Sequence, residues 1–405
     1  MRNLLKRLRK ELVLKGNMRT LAIMAILGGA EFSILAAIWQ PFVVSLGASV
    51  ALLGLLQSLG GFYGVLPAIF GPVGGWVSDR LGRRPLLLLG ASLEIIALSM
   101  YVLSGITENW LLLVPGVILM GIGALSWAAW DSIIAESVER RRRGTAYTVI
   151  GLFMHIPTVV FPIIGGQIAG KLGYIVALLI AIALLGTYLA LISFSLRETL
   201  RKSAKKITSL RGGLRRSLRR IFTPPATLRS FYLIIALDAI SWGFASSILY
   251  GMLVKEYGFT VVQISALVAI SNVSKVASQL PVGRLIDRHG GMALMLASQF
   301  IAFLMMFGWL VSTEFWAFAM LAIPYGISAT AWFPAWKTFL AGRAVSTKRG
   351  MTMGRVPAFR VVGFPAPFIG GMLYDRVGFW APVTGGLLGV LITITAIAIT
   401  MRRSS

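Results

Sequence analysis

The sequence has no cysteine and only two histidines among its 405 residues. Without cysteine it has no disulfide framework, no thiolate metal site and no cysteine nucleophile. It also has no H-E-x-x-H motif, no G-x-S-x-G motif and no paired-histidine metal set. We therefore expect no enzyme, no cofactor and no bound metal.

Charged residues are scarce as well, because they make up 13% of the chain against 57% for apolar residues. Soluble domains have about 25% charged and about 45–50% apolar residues, so this composition predicts a polytopic membrane protein. One crossing needs about 20 apolar residues, and charged or Gly/Pro breaks separate twelve such runs. The predicted runs are about 19–46, 50–77, 85–105, 110–136, 144–169, 173–196, 229–254, 259–284, 291–312, 315–341, 350–373 and 377–401.

Acidic residues are fewer than basic ones, 14 against 39, which gives a net charge of +25. In a soluble protein that charge would point to nucleic acid. Here the basic residues lie between the apolar runs, so we expect a lipid bilayer and no nucleic acid as partner. With the N-terminus inside, only Lys171, Lys255 and Arg376 fall in outside loops. The positive-inside rule therefore predicts a multi-pass plasma-membrane protein with both termini cytoplasmic.

The chain also contains an internal repeat. The pattern G-x-x-x-D-R-x-G occurs over 75–82 and again over 283–290, and two more stretches, 129–130 and 162–166, recur at almost the same spacing. Six plus six helices in parallel repeats is a known membrane architecture. The predicted segments are a cytoplasmic N-terminal tail (1–18), a six-helix bundle (19–196), a basic cytoplasmic linker (197–228), a second six-helix bundle (229–401) and a cytoplasmic tail (402–405).

The stretch from Gly75 to Arg84 resembles the loop signature of the major facilitator superfamily, G-x-[LIV]-[AS]-D-[RK]-x-G-[RK]-[RK]. The resemblance is to the drug-exporter-like branch. It implies an all-α membrane protein with twelve transmembrane helices arranged as two six-helix bundles, the fold of that family. The second copy departs from the signature, because Gly291 and Met292 stand in place of the two terminal basic residues.

In that family the signature loop is thought to latch the cytoplasmic side in one of two states. The resemblance implies that Asp131, near the end of the fourth helix, completes a charge relay with Arg83. A substrate or proton role for Asp131 is the alternative. The expected latch residues are Gly75, Asp79, Arg80, Gly82, Arg83, Arg84, Asp131, Gly283, Asp287 and Arg288.

Pro162, Gly165 and Gly166 resemble the family's helix-five antiporter motif, with Phe161 in place of its leading glycine. Close helix packing through small residues is the other interpretation. The arginine expected in helix four of proton-coupled exporters falls near Val117, where this chain has none.

Ionisable side chains within apolar helices are costly and are functional candidates. Glu31 is expected either to couple protons or to form a static pair with Arg360 or Lys275. Glu94 is expected to make a structural hydrogen bond or ion pair. The candidates for substrate or proton binding are Glu31, His155, Asp238, Lys275, Lys337, Arg360, Trp127, Trp130 and Trp332.

These features together favour a secondary active transporter that works by alternating access. The first hypothesis is proton-coupled export of amphipathic organic compounds, so that the partners are a small-molecule substrate, protons and the bilayer. An uptake symporter for a small, anionic metabolite is the alternative, and a non-transporting membrane sensor is the remote one. We expect a monomer.

Overall fold

The structure is a computed structural model that describes residues 14–61, 64–200, 224–343, 352 and 355–402. Most of the predicted N-terminal tail, most of the basic linker and nearly all of the C-terminal tail lie outside the described residues.

The described residues form helices and no strands, and twelve of these helices are long and apolar enough to cross a membrane. The predicted number of spans is therefore confirmed. The spans are α1 Asn17–Ser45, α2 Val50–Leu81, α3 Arg83–Thr107, α4 Trp110–Glu136, α5 Arg140–Leu172, α6 Tyr174–Phe194, α7 Ala226–Tyr257, α8 Val261–His289, α9 Gly291–Val311, α10 Phe315–Arg343, α11 Val356–Val377 and α12 Trp380–Arg402.

Glycine sets two sharp boundaries at matching places in the repeat. Gly82 precedes α3 with a φ of 108°, and Gly290 precedes α9 with a φ of 82°. Positive φ is disfavoured for a residue with a Cβ, so both turns favour glycine. The repeated D-R-x-G pattern therefore ends one span and starts the next in both halves of the chain.

The chain divides into two compact units. The first unit comprises Met1–Gly47, Ile69–Lys205 and Thr260–Ser265. The second unit comprises Ala48–Ala68, Lys206–Phe259 and Ala266–Ser405. The first half of α2 thus belongs to the second unit, and the beginning of α8 belongs to the first.

In the second unit, the start of α2 is held by a carboxylate of α11. Asp375 accepts hydrogen bonds from the backbone N–H groups of Val50 at 3.2 Å and Ala51 at 2.8 Å. Its Oδ1 also lies 3.6 Å from Nζ of Lys255. A carboxylate is stabilised at a helix N-terminus because unsatisfied N–H groups and the helix dipole meet there.

The Pro-x-x-Gly-Gly patterns provide close helix packing in both units. A Cβ on Gly371 in α11 would collide with the carbonyl oxygen of Val50 in α2, and one on Gly166 in α5 would collide with Ser265 at the start of α8. Small residues let helix backbones approach in this way. Packing therefore accounts for the glycines of these patterns.

Candidate functional site

Arg83, the first residue of α3, is the centre of a charged network in the first unit. Its Nη1 donates to Asp79 Oδ1 at 2.7 Å and to Ser78 Oγ at 2.8 Å, and its Nη2 donates to Glu136 Oε1 at 3.0 Å. Arg83 is only 6% exposed. The paired acids compensate its buried charge, as a buried guanidinium requires.

The acid of α4 that forms an ion pair with Arg83 is Glu136, and the relay between Arg83 and Asp131 stays a prediction. Asp131 is exposed, and its backbone oxygen accepts a hydrogen bond of 2.8 Å from the hydroxyl of Tyr147. Glu136 is the last residue of α4, next to the start of α3, whereas Asp131 lies more than one turn earlier in the helix.

Glu198, at the beginning of the linker, caps the N-terminus of α3. Its carboxylate accepts from the backbone N–H groups of Arg83 at 3.1 Å, Arg84 at 2.9 Å, and Thr199 and Leu200 at 2.8 Å each. Partial burial alone would raise the pKa of the Glu198 carboxyl, but these four donors together lower that pKa below its ordinary value. The carboxylate is therefore held ionised where the helix dipole favours it.

Two more contacts join the end of α6 to this network. The hydroxyl of Thr199 donates to Glu136 Oε2 at 2.6 Å, and Nε of Arg84 donates to the carbonyl of Ile192 at 3.0 Å. The sequence analysis missed Ser78, Glu136, Glu198 and Thr199. The chain did carry one signal for Glu198, because it is the sole acid in the basic stretch from 197 to 229.

Arg80 and Gly75 belong to the same loop but not to the ion-pair network. The guanidinium of Arg80 lies 3.6 Å from the ring centroid of Trp76, and its Nη1 donates to the carbonyl of Trp76 at 3.1 Å. A Cβ on Gly75 would lie 3.5 Å from that of Ala128. That is ordinary contact, so Gly75 helps α2 to approach α4 without being forced to be glycine.

The second copy of the motif has no such network. Gly283 is surrounded by open space, with no atom within 4 Å of a Cβ built there. Asp287 and Arg288 are exposed, and neither has a hydrogen-bond or ion-pair partner in the part of the chain that the structure describes. The two copies of the motif, which the sequence grouped as one latch, therefore differ in their contacts.

Glu31 and Asp238, one in each unit, are buried acids. Glu31 is 4% exposed and Asp238 is 2% exposed. Oδ1 of Asp238 accepts from Nε2 of Gln299 at 2.7 Å, and the positive charge of Arg360 acts on the same carboxylate. The charge of Arg360 therefore stabilises the Asp238 carboxylate. The charge of Glu94 acts on Glu31.

The two lysine candidates of the second unit contact an amide and aromatic rings. Lys275 donates from Nζ to Asn272 Oδ1 at 3.2 Å and lies 5.5 Å from the ring centroid of Tyr325. Lys337 is exposed, with Nζ 5.7 Å from the ring centroid of Trp336.

Near Tyr325, the second unit has a small apolar cleft. It is lined in part by Tyr250, Leu253, Trp309, Phe318, Leu321 and Tyr325. Aromatic and aliphatic walls of this kind suit the apolar part of a ligand.

The remaining candidates differ in exposure. His155 is exposed at the interruption of α5, between the helical segments Arg143–His155 and Pro157–Leu172. Trp127 is 51% exposed, whereas Trp332 is 4% exposed within the core of the second unit. The ring centroid of Trp130 lies 6.3 Å from that of Tyr188.

Curated relatives of this chain include multidrug and tetracycline resistance proteins. It is 24% identical over 402 residues to the Multidrug resistance protein MdtG of Enterobacter lignolyticus, covering 96% of this chain and 93% of that protein. It is 33% identical over 152 residues to the class B tetracycline resistance protein of Escherichia coli, covering 36% of this chain and 35% of that one.

Solved structures share the fold. The human organic anion transporter MFSD10 (TETRAN) superposes with a TM-score of 0.67 at 18% identity, over 94% of this chain and 98% of that chain. A D-xylose-proton symporter superposes with a TM-score of 0.67 at 16% identity, over 93% and 96% of the two chains.

The family model described as Major Facilitator Superfamily matches residues 21–241 and 231–404, which together span nearly the whole chain. This match agrees with the twelve spans and with the glycine turns that recur in both halves. The chain therefore belongs to the major facilitator superfamily, a family of membrane transporters and not of enzymes.

Proposed function

We propose that this transporter exports amphipathic organic compounds in exchange for protons, by alternating access. The observation that carries the proposal is the similarity to a multidrug resistance protein over 96% of the chain. The shorter similarity to a tetracycline resistance protein points the same way.

Two features of the units support the proposal. Glu31 and Asp238 place a carboxylate inside each unit, where taking up a proton relieves the cost of burying a charge. The cleft beside Tyr325 offers apolar and aromatic surface with a cation, Lys275, on the same ring.

Uptake of a small anionic metabolite is the second candidate. Lys275 favours it, because its Nζ donates to the neutral amide of Asn272 and not to an acid. Arg360 favours it less, since its charge already acts on Asp238.

The distribution of lysine and arginine leads us to propose that the protein lies in the plasma membrane with both termini in the cytoplasm. We further propose that it works as a monomer. Reporter enzymes fused after Arg402 that are active only in the cytoplasm test the orientation. An inactive cytoplasmic reporter together with an active periplasmic one would show the opposite orientation.

Export is tested by expressing the chain in a bacterial strain that lacks its own multidrug exporters. We expect higher inhibitory concentrations of ethidium and lipophilic phosphonium cations, and faster ethidium efflux from loaded cells. Dissipating the proton gradient should abolish both effects, and Arg83→Ala supplies an expressed but impaired control. Unchanged drug tolerance, with proton-driven accumulation of an organic anion instead, would replace export by uptake.

A further inference from the structure

Glu31 turns away from the exposed surface of α1 and into the first unit. Glu31 is 4% exposed, while its neighbour Phe32 is 60% exposed. The exposed side of the helix at this level is therefore apolar, and the charge-bearing side faces the other helices of the unit.

The ionisable groups that act on Glu31 come from α3 and α6, while α5, which packs against α1 where Gly29 meets the backbone of Met154, has the exposed His155 as its nearest titratable residue in sequence. Glu94 of α3 acts on Glu31 through its charge. The charges of both carboxylates also act on the hydroxyl of Tyr188 in α6. Tyr101, two turns after Glu94 on α3, is influenced by Glu94. Gly28, one turn before Glu31, lies beside the ring of Tyr188, because a Cβ built there would lie in ordinary contact, 3.8 Å from Cε2 of that ring.

No lysine or arginine lies beside these two carboxylates in the described part of the first unit, where each of these residues is near or beyond a helix end. Oε1 of Glu31 is buried and has no hydrogen-bond partner among the described residues. A buried carboxylate without a partner is very costly when ionised, and two neighbouring carboxylates oppose each other's ionisation. These conditions favour a bound proton.

We propose that Glu31 and Glu94 form a two-carboxylate proton site between α1, α3 and α6, in which the second carboxylate sets the acidity of the first. The inference rests on the proposed proton coupling and adds Glu94, for which the sequence had indicated a structural role. The pair binds one proton and releases it to water, while the other carboxyl group raises the affinity for that proton through repulsion of the ionised state.

The direct test is difference infrared spectroscopy of the purified, lipid-reconstituted protein during pH steps, with no drug present. We expect a carboxylic acid C=O band that titrates in the wild type and loses the part contributed by Glu31 in Glu31→Gln. In Glu94→Gln the midpoint of the remaining band should move toward acid, because the neighbouring negative charge is gone. An unchanged titration in Glu94→Gln would overturn the pair.

Glu139→Gln is the matched control, because Glu139 is an exposed acid that pairs with Arg141 at 3.1 Å outside the bundle. It should leave the band as it is in the wild type. Glu94→Asp keeps a carboxyl group at this position, so it should keep the titration closer to wild type than Glu94→Gln does. If aspartate and glutamine have the same effect, the charge of Glu94 is not what matters and the inference fails.

Ethidium efflux separates this inference from the proposed function. If the wild type exports ethidium, Glu31→Gln loses the pH dependence of export and Glu94→Gln shifts it toward acid, the pair and the function are both supported. If the wild type exports no ethidium but the infrared titration follows the pattern above, the proton site stands and export of this cation fails. If export depends on pH equally in wild type and Glu94→Gln, the pair fails and the function stands.

Discussion

The two copies of the D-R-x-G motif have the same backbone turn but very different surroundings. Gly82 and Gly290 both have positive φ just before a membrane span. In the first copy, Arg83 follows that turn and binds Asp79 and Glu136. In the second copy, the exposed Asp287 has no ion-pair partner within the described residues.

Two positions near the motif carry different residues in the two copies, and this explains the difference in surroundings. The position that matches Arg83 in the second copy is Gly291, and the position that matches Glu136 in the tenth span is Gly342. The second copy thus has the same turn as the first but neither the basic nor the acidic partner. We infer that conformational control by charge resides in the first copy.

The largest effect is expected from removing the arginine of the first copy. Arg83→Ala removes the charge-assisted hydrogen bond to Glu136, which contributes about 1.5–3 kcal/mol, and the ion pair with the exposed Asp79, which contributes about 0.2–1 kcal/mol. We expect drug efflux to slow by about tenfold or more, since a change of about 1.4 kcal/mol in a barrier is tenfold in rate. Arg288→Ala is the matched variant, and its efflux should stay near wild type. Equal losses in the two variants would remove the distinction between the copies.

The two glycine turns are expected to differ in their tolerance of alanine. Alanine at either position is strained by positive φ, at a cost of about 1–3 kcal/mol. At Gly82 the new Cβ would also lie 2.6 Å from Glu198 Oε2, whereas nothing lies within 4 Å at Gly290. Thermal unfolding in detergent should therefore occur at a lower temperature for Gly82→Ala than for Gly290→Ala. The reverse order would contradict the capping role of Glu198.

Glu198 makes the stability of the first copy depend on pH. No residue with the same role is described in the second copy. Its pKa is lowered in the folded state, so its contribution to stability is present above the unfolded pKa and is lost as the pH falls through the folded one. Wild-type protein should lose thermal stability at acidic pH, and Glu198→Gln should be less stable at neutral pH but show a smaller acid loss. The same slope in both proteins would show that other carboxyl groups cause it.

The smallest effects are expected at the two aspartates. Asp79→Asn weakens one ion pair with a side chain that is 68% exposed, and exposed pairs contribute about 0.2–1 kcal/mol. We expect slower turnover with little change in drug affinity, measured as a fall in maximal efflux rate at constant half-saturation. Asp287→Asn should change neither quantity measurably, and an equal fall there would contradict the comparison.

Much of the fold could be predicted because the apolar composition and the charged or Gly/Pro breaks between apolar runs determine it directly. Twelve apolar runs between charged or Gly/Pro breaks gave twelve spans, and the repeated D-R-x-G pattern marked two helix starts. The boundaries differ by a few residues, as at α5, which was expected over 144–169 and extends from Arg140 to Leu172. Ends are hard to locate because charged residues such as Arg140 continue a helix beyond its apolar stretch.

The partners of the charged residues could not be predicted to the same degree. α1 is apolar on nearly every side, so no amphipathic period determines how it is rotated in the bundle. The sequence therefore could not show that Glu31 faces Glu94, and it offered Arg360 or Lys275 as the pair. In the same way, Asp131 and Glu136 both lie near the end of α4, and only the packing of α3 against α4 brings Glu136 to Arg83.

The most direct test of conformational control by the first copy uses the absence of cysteine from the chain. A single Thr148→Cys substitution places a thiol at an exposed position of α5, and its rate of alkylation by a membrane-impermeant maleimide reports access to that surface. We predict that adding Arg83→Ala changes this rate severalfold, while adding Arg288→Ala leaves it unchanged. Equal alkylation rates in all three proteins would contradict the claim that the Arg83 network controls the conformational equilibrium.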